Sequence, residues 1–122
     1  MPGIIHFKIN ADDPKRVAKF YEKVYGWEIS MWEGPVKYWL VSTSSSSDKP
    51  GINGAIMERM EKGTITVFVD VPSVDEFLKK IVQAGGKALT EKIAIPGVGY
   101  SAYCMDTEGN LFGLFQSDPS AK

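Results

Sequence analysis

The chain has 122 residues, a net charge of −1, 43% hydrophobic and 24% charged residues, which suits one soluble globular domain spanning 1–122 better than two marginal ones. That charge balance leaves no basic field to hold a phosphate backbone, so nucleic acid is not an expected partner. No apolar run approaches the roughly 18 residues of a membrane span, the N-terminus lacks the regions of a signal peptide, and a lone cysteine, Cys104, cannot pair internally; a cytoplasmic location is the default expectation.

Residues 4–10 alternate as a strand does. Ile5, Phe7 and Ile9 point to one face, expected to pack on a helix, and His6, Lys8 and Asn10 point to the other. Asp12, Asp13 and Pro14 read as a helix start, with an aspartate cap and proline in the first turn, where its missing N–H costs nothing. Val17, Phe20, Tyr21 and Val24 recur at three- and four-residue spacing as the predicted buried stripe, and Gly26 stops the helix. Strand-like runs at 28–32 and 37–42, joined through Glu33, Gly34 and Pro35, signal a hairpin. The serine-rich stretch 43–51 reads as a loop, 52–59 as a fourth strand, and Glu61, Lys62 and Gly63 as a link.

The pattern then repeats. Asp12 falls on Asp70 and Pro14 on Pro72 at an offset of 58. Residues 64–69 read as a strand with Ile65, Val67 and Val69 toward a helix and Thr64, Thr66 and Phe68 opposite. Pro72 and Ser73 open a helix with a stripe of Val74, Phe77, Leu78, Ile81 and Val82, ended by Gly85 and Gly86. Strands follow at 87–95, 100–105 and 111–116, with a tight turn at 106–110; residues 118–122 read as a frayed tail. The expectation is an α+β fold of two tandem βαβββ modules, about 4–60 and 64–117, forming a cupped mixed sheet with the helices on its outer face. A half this small would not stand comfortably alone.

A doubled unit of this kind resembles the vicinal oxygen chelate superfamily, which includes glyoxalase I, bleomycin-resistance proteins and extradiol dioxygenases. The residues carrying the resemblance are His6, the run from Phe20 through Tyr21, Tyr25 and Gly26 to Trp27, and the run from Asp106 through Gly109 and Asn110 to Leu114. The nearest branch is that of predicted enzymes related to lactoylglutathione lyase, whose members lack an assigned substrate. The resemblance implies four metal-ligand positions, on the first and last strand of each half. Carried onto this chain they are His6, Ala55, Thr64 (or Thr66 after a slip that keeps the same face) and Gly113, so His6 is the one surviving ligand-type residue. No metal or other cofactor is therefore expected, and a divalent metal is the alternative.

His6 is a candidate acid/base, against the simpler reading of an inherited, hydrogen-bonded residue without a chemical role. Lys8 and Asn10 either orient an anionic or polar ligand or reach rim solvent. Ala55 and Gly113 would enlarge a cavity for an organic ligand unless aromatic neighbours fill it; Met57, Thr64, Phe68 and Tyr103 complete the expected ligand-binding set. Trp32, Tyr38, Trp39, Tyr100 and Phe115 are aromatic side chains the sequence leaves unsorted. Cys104 reads as a buried structural thiol, and Asp106 with Glu108 as turn chemistry. Three functions follow. The first is a small-molecule binder or metal-independent enzyme with an apolar cup. The second is a divalent-metal-dependent lyase, isomerase or dioxygenase resembling glyoxalase I. The third is an interaction subunit with a vestigial cup. The resemblance also implies a homodimer.

Overall fold

The computed structural model describes residues 1–32, 37–44, 51–59 and 65–122. Glu33, Gly34 and Pro35, most of the 43–51 loop, the link at Glu61, Lys62 and Gly63, and the candidate Thr64 lie outside them. The elements run β1 (Ile4–Ala11), α1 (Pro14–Tyr25), β2 (Glu28–Trp32), β3 (Tyr38–Ser42), β4 (Gly54–Glu58), β5 (Ile65–Asp70), α2 (Val74–Gln83), β6 (Lys87–Ala88), β7 (Ile93–Ile95), β8 (Gly99–Met105) and β9 (Leu111–Ser117). This is the α+β pattern of two βαβββ modules. One difference is that the strand expected at 87–95 is interrupted between Ala88 and Ile93, giving β6 and β7 as separate short partners of β8. The chain divides into two compact units, residues 6–66 and residues 1–5 with 67–122.

In the unit of residues 6–66 the strand order is β2, β3, β4, β1. β1 and β4 are parallel, which requires a long crossover, and the other pairs are antiparallel. Ile9, Ala11, Trp39, Val41 and Ile56 pack with Ala18 of α1, and Phe7, Val17, Tyr21, Trp27 and Ile29 close around them. Trp39 is thus assigned to the helix side. The Asp13 carboxylate accepts from Arg16 N at 3.2 Å, capping α1. At the other end Gly26 takes φ 72°, a left-handed conformation glycine adopts without a Cβ penalty, and its N–H bonds Glu22 O. The buried stripe is Pro14, Val17, Ala18 and Tyr21, one step round from the predicted one. Phe20 and Val24 remain 56% and 52% exposed. Ala18, not Phe20, is the side chain this helix turns into the core cluster.

In the second unit the order is β5, β9, β8, β6, with β7 also on β8. Val71, Val74, Ala102, Cys104 and Leu114 form the core, with Val69, Phe77, Leu78, Ile81, Tyr100 and Phe112 against it. Cys104 and Tyr100 are therefore on the helix side. Val82 is exposed, so the predicted stripe of α2 holds except at its end. Ser73 accepts from Glu76 N, and Gln116 Oε1 accepts from Val74 N at 2.9 Å, tying β9 to the start of α2. The tail is anchored rather than frayed. Gly97 N donates to Ala121 O, Asp118 N to Val98 O, and Ala121 is buried.

The structural repeat is sixty residues in this region, not 58. The N-caps Asp13 and Ser73, and the core-facing pairs Ile9 with Val69 and Ala11 with Val71, all match at that spacing. The aspartate and proline pairs that suggest 58 do not occupy equivalent places. His6 therefore corresponds to Thr66.

Candidate functional site

The strand face away from α1 holds most of the candidates. Phe7 and Ile9 pack on the helix side, so strict alternation along β1 puts His6, Lys8 and Asn10 on the other. In β4, Ile56 pairs Ile9 and Trp39 on the helix side, which places Ala55 and Met57 with His6. In β3 the same parity places Tyr38 and Leu40 there, and in β2 it places Trp32, Ser30 and Glu28. The register makes rows: Leu40, Ala55 and Lys8 form one, and Tyr38, Met57 and Asn10 the next.

His6 Nε2 and the Tyr38 hydroxyl lie 3.3 Å apart. Tyr38 is one row to one side of Ala55, and His6 is two residues beyond Lys8 on the other side. The line joining them crosses β4 at Ala55, and the Ala55 side chain is 0% exposed. A larger side chain at that position would stand in the path of the bridge. Trp32 meets the Tyr38 ring edge-on at 5.8 Å. Burial, and secondarily the charge of Lys8, hold the His6 pKa below 6.5, so the imidazole is neutral near pH 7. A neutral imidazole paired with a phenol can accept or donate one proton.

Three further candidates meet in the other unit. Phe68 pairs Gly113, and Gly113 pairs Tyr103, in one row across β5, β9 and β8. The Phe68 ring lies directly over Gly113, where any Cβ would overlap it. The Tyr103 ring is T-shaped to Phe68 at 5.8 Å. The space a glycine leaves is thus occupied by an aromatic neighbour. By strand alternation Phe115 shares the Gly113 face.

The ligand positions named for the superfamily do not fit a divalent cation. Ala55 and Gly113 carry no donor. Thr66, the counterpart of His6, offers only a neutral hydroxyl and is 1% exposed. Glu58 does not turn toward His6, because the β1–β4 register runs without a bulge from Gly54 to Glu58. Among the described residues no three His, Cys, Asp or Glu side chains gather, whereas catalytic metal sites use three protein ligands.

Two concavities lie beside the helices. One of about 520 Å³ touches Asp70, Glu76, Lys80 and Gln116, and one of about 350 Å³ touches Asp13, Arg16, Phe20 and Arg59. Each mixes charges of both signs, and Arg59 is ion-paired to Asp12 at 3.0 Å. The burial of Cys104 raises its thiol pKa, as expected of a structural residue. The partnership of Tyr38 with His6 was not anticipated from the sequence. Its signal was there in the alternation of 37–42, but it needed the β3–β4 register to be read.

Residues 6–115 match the glyoxalase-like domain family. A glyoxylase-like domain-containing protein of Didymella fabae is 26% identical over 115 residues, 88% of each chain. Among solved structures, methylmalonyl-CoA epimerase from Mycobacterium tuberculosis aligns with a TM-score of 0.71 at 14% identity, covering 96% of this chain and 89% of that one. A hypothetical protein from Bacillus halodurans aligns with a TM-score of 0.72 at 16% identity, covering 99% and 98%. Methylmalonyl-CoA epimerase of Streptomyces coelicolor, in complex with 2-nitronate-propionyl-CoA, aligns with a TM-score of 0.66 at 18% identity, covering 93% and 96%. At these identities the structural matches speak for the fold. With the family match spanning most of its length, the chain belongs to the glyoxalase-like domain family of the vicinal oxygen chelate superfamily.

Proposed function

We propose that this protein binds a small organic molecule on the helix-free strand face around His6 and works there without a catalytic divalent metal. It does so as a sequestering or sensing module or as a metal-independent enzyme. The observation that carries the reading is the His6–Tyr38 bridge over Ala55. In support, the bridge pairs the imidazole with a hydroxyl at the position where the superfamily pattern would have a metal ligand, beside a second ligand position that has no donor. Lys8 and Asn10 supply further polar groups on the same face, and Trp32 and Leu40 supply apolar surface. This is the usual composition of a small-molecule site. Phe68, Tyr103 and Gly113 form a second candidate lining, in which the Phe68 ring sets how much room a ligand has. The whole chain serves as one domain, in the cytoplasm and as a homodimer.

Proteins of similar fold hold acyl-CoA ligands, which favours a small-molecule ligand here over an interaction subunit. The same likeness to epimerases, with His6 at the first ligand position, is what supports the rival, a divalent-metal-dependent lyase, isomerase or dioxygenase. Metal analysis of protein purified without a histidine tag separates the two. Stoichiometric nickel, zinc or iron overturns the metal-free reading. A thermal-shift screen over aromatic and thiol-conjugate compounds tests binding, because a ligand selective for the folded form raises the midpoint. A screen in which no compound moves it, repeated with metal supplementation, leaves the interaction subunit.

A further inference from the structure

We infer that the edge strand β2 pairs antiparallel with β2 of a second copy of this chain, about a two-fold axis through Ser30. This rests on the homodimer reading above and names its contact.

The edge itself is the first support. Among the described residues β2 pairs with β3 alone, and no other backbone bond reaches it. An open row of N–H and C=O groups is a template for another strand, and sheets blunt such edges with short strands, lysine, proline or bulges. The outer strand of the other unit follows that rule: β6 has two residues, and one is Lys87. β2 has five residues, Glu28 to Trp32, without lysine, arginine or proline, and its register to β3 runs without a bulge. All but Ile29 are exposed, Met31 at 51% and Trp32 at 42%.

The order of residues along β2 is the second support, because it complements itself. A two-fold axis normal to the sheet keeps each face on its own side, so opposed residues lie an even number of positions apart. Centred on Ser30, all of β2 is paired: Ser30 opposes itself, Ile29 opposes Met31, and Glu28 opposes Trp32. On the helix side the exposed Met31 gains Ile29 of the second copy, and the axis makes that contact twice. On the helix-free side the two Glu28 positions stand about 14 Å apart, four strand residues along. Centring on Glu28 instead would oppose like charges directly, and centring on Ile29 or Met31 leaves part of the strand without a partner. The row of Asn10, Met57, Tyr38 and Trp32 then continues onto Glu28 of the second copy, which adds a carboxylate at the rim of the candidate ligand face.

Disulfide trapping in the full chain reads this register. Cys104 is buried, and a Cys104→Ala background removes it. Opposed residues of an antiparallel pair lie about 5 Å apart between Cα atoms, within the span of a disulfide, whereas about 14 Å is beyond it. Under a mild oxidant the expected result is a rapid covalent dimer from Ser30→Cys and only slow, collisional crosslinking from Glu28→Cys. Sedimentation of the parent chain should show a dimer. Met31→Lys, which removes both Ile29–Met31 contacts, should raise its dissociation constant about ten-fold, and Met31→Leu should leave it unchanged. A monomeric parent overturns the inference and the homodimer together. A dimeric parent in which Ser30→Cys crosslinks no faster than Glu28→Cys, or in which a folded Met31→Lys variant dissociates no more readily, overturns the β2 contact and leaves the homodimer.

Discussion

At the scale of single residues, the two small side chains Ala55 and Gly113 are explained by what lies over them. Phe68 covers Gly113, so Gly113→Ala forces the ring to move. Overpacking of this kind costs about 1–3 kcal/mol in denaturant unfolding. The double variant with Phe68→Ala should cost less than the sum of the singles, because the clash vanishes with the ring. His6 makes a pH prediction. Its folded pKa lies below the unfolded value of 6.5, with burial the larger cause and Lys8 the lesser. The unfolded state therefore binds a proton first as pH falls. The contribution is present above pH 6.5 and is lost as pH drops from there through the folded value. His6→Gln should flatten the stability profile in that window, and Lys8→Met should raise the His6 titration midpoint followed by NMR. Asp106 and Asp118, whose hydrogen bonds from Asn110 and Ser120 lower their pKa, act in a separate, more acidic range.

At the scale of elements, the positions of both helices were legible in the sequence, but the rotation of α1 was not. Asp13, Ser73 and Gly26 are local signals, and each caps as local chemistry dictates. Which side of α1 is buried depends on its fit to Ile9 and Ile56, and no periodicity within the helix carries that information. Ile56 lies between Ile9 and Trp39 with no exposed surface, so Ile56→Ala should cost about 2–5 kcal/mol. Phe20→Gln, at a position the sequence assigns to the core, should cost no more than about 1 kcal/mol, from the edge contact of its ring with Tyr21. Equilibrium unfolding of the pair checks the rotation directly; a large loss at Phe20 would place the helix as the periodicity suggests. The break between β6 and β7 and the anchored tail were likewise beyond sequence pattern, since Leu89 N and Ala121 O find their partners in distant residues Tyr103 and Gly97.

At the scale of the whole molecule, the residues that reveal the family are almost all scaffold. Tyr21 and Trp27 stack at 4.8 Å, with Tyr25 at 5.3 Å from Trp27, round the left-handed Gly26. Asp106 accepts from the N–H groups of Glu108 and Asn110 and from the Asn110 side chain, closing the turn before β9. These contacts hold the backbone itself, so the fold was readable from them, whereas the chemistry depends on face side chains that no backbone contact requires. Of the face residues, His6 was visible early, Lys8 and Asn10 followed from alternation, and Tyr38 needed the register. The two groups of residues should separate by experiment. Trp27→Ala removes a half-buried ring from the aromatic cluster and should cost about 2 kcal/mol of stability. Asp106→Ala should lower the thermal midpoint by opening the turn. Neither should alter the affinity of the folded protein for a ligand at the His6 face. Tyr38→Phe, which keeps the ring and its contact with Trp32 but removes the hydroxyl, should cost about 1 kcal/mol at most from a half-buried hydrogen bond. It should also weaken ligand binding and release the His6 resonance from its partner. Unfolding and titration of the same four proteins read both axes. A Tyr38→Phe variant that binds like the parent would reduce the bridge to packing and return His6 to the role of an inherited residue.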